Sequence, residues 1–247
     1  MSHYAVLVLH KEDQDINTLL SPYNENLEVE PYLKLTNDEA IAKAREEYDD
    51  NYSEKELIKN YADDYGYIIL DDGLYSTYNP NSKWDWYEIG GRFSNHLPLT
   101  NEALKKEYNE YIDYPFTDIA PINYVNWKYN HLTEEEKNKI RRWWEINIYD
   151  APLKEGEEKD KYFFYNPEYY KRRYKDAETD IKTQEMVTFY AVITPDGTWY
   201  APAEMGWWGC SLGKPEDELQ WDLEFYDRFI KPNLDSDLIC TVVDCHI

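Results

Sequence analysis

Short apolar runs separated by charged segments set the predicted secondary structure of the chain. Residues 4–9 (YAVLVL) and 65–70 (YGYIIL) are apolar runs of strand length, and LICTVVDCHI at the C-terminus is a third. VTFYAVITPDGTWYAP predicts two strands joined by a tight P-D-G turn. HYAVLVLH at the N-terminus resembles FYAVIT at 189–194, which favours two related halves that share one sheet.

Capping signals predict where the helices begin. The S/T-x-x-E capping box occurs three times, as Thr36 with Glu39, Ser53 with Glu56, and Thr133 with Glu136. We expect helices over about 37–50, 54–64, 101–112, 134–148 and 216–230. The prediction is one α+β domain over 1–247. Its central mixed or antiparallel sheet has ferredoxin-like halves covered by helices, and a helical insertion occupies about 100–185.

The composition and charge of the chain limit the classes of binding partner that we expect. Tyr and Trp number 25 and 9, which suits half-wet pockets or interfaces, and the formal net charge is −24. Direct binding of nucleic acid or of anionic membranes is therefore not expected. The charge serves solubility, or the surface imitates a polyanion. Between Asp38 and Asp72 twelve acids stand against four bases, a net charge of −8.

The sequence does not indicate a signal peptide, a membrane span, or a metal or cofactor site. The first residues do not form a signal-peptide pattern, no run reaches the length of a transmembrane helix, and three cysteines fit a reduced cytoplasmic protein. The histidines and cysteines have no metal-ligand spacing, and no nucleotide or cofactor fingerprint is present. We expect neither a metal nor a cofactor.

The stretch KWDWYEIGGR (83–92) concentrates aromatic side chains on a predicted extended segment. In such a segment Trp84 and Trp86 share one face, while Asp85 and Tyr87 share the other. The tryptophans can stack against a planar group, and Asp85 and Tyr87 can hydrogen-bond a ligand. All four are candidate ligand-binding residues.

The same stretch ends in an arrangement that suits anion binding. Gly90 and Gly91 interrupt the ladder by a bulge or turn and expose backbone N–H groups, and Arg92 follows directly. Amides and a guanidinium together form an anion cradle. A glycine bulge at a sheet edge, with Arg92 in an ion pair, explains the pattern equally well.

A second aromatic stretch, MGWWGC (205–210), places two tryptophans between glycines. Glycine permits tight turns and close approach of a ligand, so Trp207 and Trp208 can form a stacking wall. The alternative is that they close one end of the core.

The terminal DCHI carries candidate acid–base chemistry. Asp244 and His246 share a face of the predicted strand, whereas Cys245 points to the other face, which argues against a Cys–His nucleophile. Asp244 and His246 can act as an acid–base pair or hydrogen-bond a ligand. An inert chain end is the alternative.

These motifs, taken together, resemble an uncharacterised family of proteins encoded by tailed bacteriophages. The shared features are W-D-W-Y-x-I-G-G-R, P-D-G-x-W followed by M-G-W-W-G, and a D-C-H-I ending, with LLSPYNENLEVEPY (19–32) in addition. The resemblance covers about a quarter of the positions and leaves roughly 100–185 without a counterpart. Phe93 and Ala203 depart from the family pattern, which has Trp and Gly there.

The resemblance implies a viral accessory protein in the cytoplasm of an infected bacterium, with residues 84–92, 205–209 and 244–246 in one site. We expect a counter-defence protein that binds, and in one version turns over, a small nucleotide-like anion in a Trp/Arg pocket. The alternative is an acidic, DNA-mimicking inhibitor of a host defence enzyme. A hydrolase or transferase built on Asp244 and His246 is a third hypothesis. Whether a reaction is catalysed and which oligomeric state forms stay open.

Overall fold

The structure is a computed structural model, and the residues it describes are 2–48, 51–103, 116–129, 132–160, 166–206 and 211–247. The chain is an α+β protein with a mixed six-stranded sheet and two small antiparallel sheets. Its packing separates two compact units. The small unit is Ser21–Asp85, and the large unit joins Met1–Leu20 to Trp86–Ile247. A compact unit is not by itself an independently folding domain, so the single domain over 1–247 stays a prediction.

The bounds of the elements within the described residues are as follows. The strands are β1 (His3–His10), β2 (Tyr32–Thr36), β3 (Ile68–Leu70), β4 (Gly73–Ser76), β5 (Trp86–Ile89), β6 (Leu97–Pro98), β7 (Phe116–Thr117), β8 (Ile119–Pro121), β9 (Ala191–Ile193), β10 (Trp199–Tyr200) and β11 (Ile239–His246). The helices are α1 (Ile16–Leu20), α2 (Asn37–Glu47), α3 (Glu54–Tyr65), α4 (Glu134–Asn147), α5 (Pro167–Tyr174), α6 (Ala177–Gln184) and α7 (Pro215–Phe225).

The long strands β1 and β11 form the centre of the six-stranded sheet. They pair antiparallel over their whole length, from His3 opposite His246 to His10 opposite Ile239. The strand order is β10-β9-β1-β11-β5, with β8 also on β11, and β9 runs parallel to β1. The similar segments 3–10 and 189–194 thus contain neighbouring strands of one sheet. The finer prediction of ferredoxin-like halves stays a prediction.

Both faces of the central strands are buried, which explains their continuous apolar sequence. On one face Leu7 and Leu9 of β1 and Val242 of β11 belong to the main core. On the other face Val6 and Val243 are fully buried. Helix α7 and the π-helical turn Tyr226–Ile230 supply four large residues of the main core, Trp221, Phe225, Phe229 and Ile230.

The small unit encloses a separate core. Helices α2 and α3 begin with the predicted capping boxes, in which the N-cap hydroxyl and the glutamate three residues later satisfy each other's backbone N–H groups. The helices cover the sheet β2-β4-β3. Six residues form this core: Ala40, Ala44, Leu57, Tyr61, Ala62 and Leu74.

Local chemistry explains where the observed elements depart from the predicted ones. Strand β3 begins only at Ile68, because α3 continues to Tyr65 and ends at Gly66 in the left-handed conformation. The helix expected over 216–230 is α-helical to Phe225 and then π-helical.

The region of the predicted insertion, 100–185, contains three described helices, α4, α5 and α6, and also strands. Strand β8 pairs with β11 and so belongs to the six-stranded sheet. The helix expected over 101–112 lies mostly outside the described residues. None of the described helices combines the length and the apolar character that crossing a membrane requires.

Candidate functional site

Three aromatic rings meet at one end of the six-stranded sheet. Trp86 of β5 is opposite His246 of β11, which is opposite His3 of β1. The Trp86 and His246 rings are stacked, with centroids 5.1 Å apart and an interplanar angle of 19°. The His3 ring meets His246 edge-on at 5.0 Å and Trp86 at 5.5 Å. Cross-strand register therefore places these rings in one row.

A buried carboxylate lies two residues along the strand from His246. Asp244 has a side chain only 2% exposed, and its Oδ1 lies 2.9 Å from His3 Nδ1. The backbone N–H of Arg92 donates to Asp244 Oδ2 at 2.9 Å. A buried carboxylate is stable only when such partners replace water. We call His3, Trp86, Gly91, Arg92, Asp244 and His246 the strand-end cluster.

Gly91 of the cluster and the preceding Gly90 each lie against a carboxylate. Gly91 has φ +52°, and a Cβ placed there would lie 2.6 Å from Asp244 Oδ2. Gly90 has φ +71°, and a Cβ there would lie 2.4 Å from Asp118 Oδ2. At both positions the backbone has a positive φ and lies close to a carboxylate, and only glycine allows this combination without strain. The Gly90 amide donates to the Val242 carbonyl and the Arg92 amide to Asp244.

Arg92 differs from the other arginines in its surroundings. Its side chain is exposed, and among the described residues its guanidinium has no ion-pair partner. Five arginines form ion pairs, and one lies over aromatic rings: Arg45, Arg141, Arg142, Arg172 and Arg173, then Arg228. In a chain of net charge −24 an arginine without such a partner is available for an external anion.

The structure separates some of the residues that the sequence grouped. Trp84 and Asp85 belong to the small unit, where Trp84 is buried and its backbone forms a bridge with Asn24. Strand β5 starts only at Trp86. Trp207 and Trp208 lie outside the described residues.

Residues on the opposite face of the sheet are excluded from the cluster. Tyr87 is opposite Cys245, and its hydroxyl hydrogen-bonds Asn17. Burial raises the pKa of Tyr87. Burial, with a smaller effect of the Asp244 charge, raises the pKa of the Cys245 thiol well above its usual value. Cys245 is therefore a buried, neutral thiol. It lies on the face opposite Asp244 and His246, as strand alternation predicted.

His3 is the cluster residue that the sequence did not single out. The register of two strands would have identified it, because His3 lies opposite His246 when β1 and β11 pair antiparallel end to end. In the neutral ring with Nδ1 donating to Asp244, the other ring nitrogen, Nε2, is an acceptor, whereas in the protonated ring both nitrogens donate. Such a carboxylate–imidazole pair can orient a ligand or take up a proton. No three metal-ligating side chains converge in the described part of the chain.

The fold and the cluster thus define an α+β protein with an aromatic, charged site at the end of its main sheet. Comparison of the chain with protein-family models, curated proteins and solved structures finds no match in any of the three. The resemblance to tailed-phage proteins stays a prediction that rests on the motifs alone.

Proposed function

We propose that this protein binds a small planar anion of the nucleotide type at the strand-end cluster. The observation that carries the proposal is the exposed guanidinium of Arg92, which has no ion-pair partner among the described residues of a strongly acidic chain. Its backbone is held next to the ring row by the hydrogen bond to Asp244. Arginine of this kind suits carboxylate or phosphate groups because its planar fork donates two hydrogen bonds at once.

Trp86 supplies the surface for the planar part of the ligand. One side of its ring stacks on His246, while 42% of the residue remains exposed. Stacking on tryptophan stabilises a bound nucleobase by about 1–3 kcal/mol. The His246 ring behind Trp86 holds the indole in place, so the indole orientation is already fixed before the ligand binds.

Binding fits the geometry better than turnover does. The His3 side chain is 9% exposed and that of Asp244 is 2% exposed, so water and substrate reach the pair poorly. The Asp244 carboxylate already accepts hydrogen bonds from His3 Nδ1 and from the Arg92 amide. We propose that the pair positions Arg92 and the rings, and that the protein acts against host defence by sequestering its ligand in the infected cell. The counter-defence role is supported by the motif resemblance.

Arg92→Gln should weaken binding of nucleoside phosphates about 10-fold or more, since it removes a charge-assisted hydrogen bond worth about 1.5–3 kcal/mol. Calorimetric titration with a panel of nucleoside mono- and triphosphates measures this effect. The matched control is Arg45→Gln, which changes the net charge equally at an exposed arginine paired with Glu54. Trp86→Leu should weaken the same ligands. Equal affinities for the two arginine variants, or no binding by the wild type, would rule out the site.

The alternative function, inhibition of a host nucleic-acid enzyme by an acidic surface, rests on the small unit. All ten described acids between residues 38 and 72 are exposed, and four of them are on α2. Strand β3 is an edge strand whose three residues, Ile68, Ile69 and Leu70, are also exposed. An exposed apolar edge strand that is followed directly by Asp71 and Asp72, in a unit whose surface is acidic, fits a basic protein surface.

This alternative predicts that charge location matters more than net charge. D38N/E46Q/D63N/D71N removes four exposed acids of the small unit that make no described side-chain bond. E12Q/D13N/E155Q/E158Q removes four exposed acids of the large unit. The first variant should reduce salt-sensitive capture of a host nucleic-acid-binding protein at least 10-fold, and the second should not. Equal capture by both variants would contradict mimicry by the small unit.

A further inference from the structure

Helices α4, α5 and α6 of the large unit line a pocket that is separate from the strand-end cluster. We call it the three-helix pocket. Its volume is about 400 Å³, within the range of about 300–1,000 Å³ that is typical of small-molecule sites. Helical spacing brings Ile140 and Trp143 of α4, and Tyr170 and Tyr174 of α5, to the same wall, which Asp180 of α6 completes. Aromatic rings and a carboxylate therefore meet in one pocket.

The aromatic rings of the pocket are within reach of a ligand. Trp143, Tyr170 and Tyr174 are each half-buried and line the pocket. The centroids of the Trp143 and Tyr170 rings are 5.2 Å apart with an interplanar angle of 59°, and those of Tyr170 and Tyr174 are 6.4 Å apart. The guanidinium of Arg173 lies over the Tyr174 ring at 4.8 Å. Trp143 and Tyr170 are thus the main ring surfaces for a ligand.

A buried carboxylate makes the pocket negative. Asp180 is 7% exposed, and its oxygens accept hydrogen bonds from Trp144 Nε1 at 2.8 Å and from Gln184 Nε2 at 2.9 Å. Both donors are neutral, and within the described ranges Asp180 has no ion-pair partner. Burial raises the pKa of Tyr170, and the charges of Asp160 and Asp180 add to this effect. The field of Asp180 therefore reaches the aromatic wall, where a cation would be stabilised.

Two cationic side chains at the pocket are already paired with other acids. Lys139 also lines the pocket, and its Nζ lies 2.8 Å from Glu135 Oε1. Arg173 pairs with Glu218 and Asp222. Neither cation neutralises Asp180, so the pocket retains an excess of negative charge.

The type of cation follows from the hydrogen bonds of the wall. Both oxygens of Asp180 already accept hydrogen bonds, so a primary ammonium ion would lose water without gaining enough acceptors. A quaternary ammonium ion has no N–H group to satisfy, and aromatic ring faces attract it when it lies within about 6 Å of their centroids.

We propose that the three-helix pocket binds a small, free quaternary ammonium ion with a trimethylammonium group. The methyl groups pack on the rings of Trp143 and Tyr170, and the charge of Asp180 balances that of the ligand without a direct hydrogen bond. The site and its ligand class are independent of the anion site at Arg92.

Choline tests the proposal, with 3,3-dimethylbutanol as the matched neutral ligand in which carbon replaces the charged nitrogen. Saturation-transfer NMR and calorimetric titration on the full chain should detect choline, and the neutral analogue should bind about 10-fold more weakly or less. Ethanolamine, the primary ammonium analogue, should also bind about 10-fold more weakly. Equal binding of choline and either analogue, or no binding of choline to the folded wild type, would overturn the proposal.

The trimethylammonium group also occurs on lipid headgroups, and a vesicle experiment separates the two sources. Choline binding without co-sedimentation of the protein with phosphatidylcholine vesicles assigns the free ion. Co-sedimentation that added choline competes away would assign the headgroup instead and overturn the proposal of a free ligand.

Two pairs of variants locate the site. Tyr170→Leu should weaken choline binding about 5-fold or more, whereas Tyr170→Phe keeps the ring and should bind choline nearly as well as the wild type. Asp180→Asn should weaken choline binding about 5-fold or more, because it removes the charge but retains one acceptor oxygen. Its control is Glu178→Gln, which removes an exposed acid of the same helix that is paired with Arg141. Equal choline affinity within either pair would count against the site.

The outcome is distinguishable from that of the proposed function. Arg92→Gln should not change choline binding, since choline has no anionic group. Tyr170→Leu should not change the binding of nucleoside phosphates. Loss of choline binding with nucleotide binding intact, or the reverse, therefore separates the two sites.

Discussion

Replacing Asp244 by alanine is expected to lower the free energy of unfolding by about 2–5 kcal/mol. The substitution removes the acceptor of both His3 Nδ1 and the Arg92 amide, and it leaves these partly buried groups without that partner. Asp244→Asn retains one acceptor oxygen and should lose less. Urea-induced unfolding followed by circular dichroism measures the difference.

The control for this prediction is Asp235→Ala, an exposed acid close to the same strand. Surface substitutions of this kind usually change stability by less than about 0.5 kcal/mol. If Asp244→Ala were as stable as Asp235→Ala, the carboxylate would not stabilise the end of the sheet. The positioning role that we assign to it would then be wrong.

Replacing Gly91 by alanine should destabilise the protein by about 2–4 kcal/mol. The left-handed backbone costs a residue with a Cβ about 1–2 kcal/mol, and the new methyl group would lie 2.6 Å from Asp244 Oδ2. Overlap at that distance forces either the carboxylate or the turn to move. Arg92 follows Gly91 directly, so ligand binding should weaken as well.

Gly197→Ala isolates the steric part of that prediction. Gly197 also has positive φ, +82°, but a Cβ there would have nothing within 4 Å. It should therefore show only the conformational cost of about 1–2 kcal/mol. The overlap involves both the Cβ and the Oδ2 of Asp244, each 2.6 Å from the added methyl group, so only the double variant G91A/D244G relieves it. The double variant should therefore lose less stability than the sum of the losses of G91A and D244G. Full additivity, or equal losses at Gly91 and Gly197, would contradict the close contact.

Local sequence signals predicted most of the elements. The three capping boxes are present as predicted because each depends only on four consecutive residues. The P-D-G hairpin is confirmed, with Trp199 opposite Ile193. The shared face of Asp244 and His246 also follows from strand alternation alone. These features involve chemistry within a few residues, where the chain has few alternatives.

Local sequence signals could not predict which residues form the strand-end cluster. KWDWYEIGGR reads as one continuous motif, yet the boundary between the compact units falls between Asp85 and Trp86. Alternation predicted that Trp84 and Trp86 share a face, but this holds only if both belong to one strand, and β5 begins at Trp86. His3 enters the cluster through pairing with a residue 243 positions away.

By itself the sequence predicted the capping boxes, the P-D-G hairpin, the shared face of Asp244 and His246, and a break in the strand at Gly90 and Gly91, and it showed the acidic charge of the chain. Only the tertiary structure decided what the glycines are for: they admit the Asp118 and Asp244 carboxylates, which come from distant parts of the chain. It also decided which histidine pairs with Asp244 and which arginines are already neutralised. The physical reason is that these contacts depend on strand register and helix packing, whereas capping, turns and alternation depend on neighbouring residues.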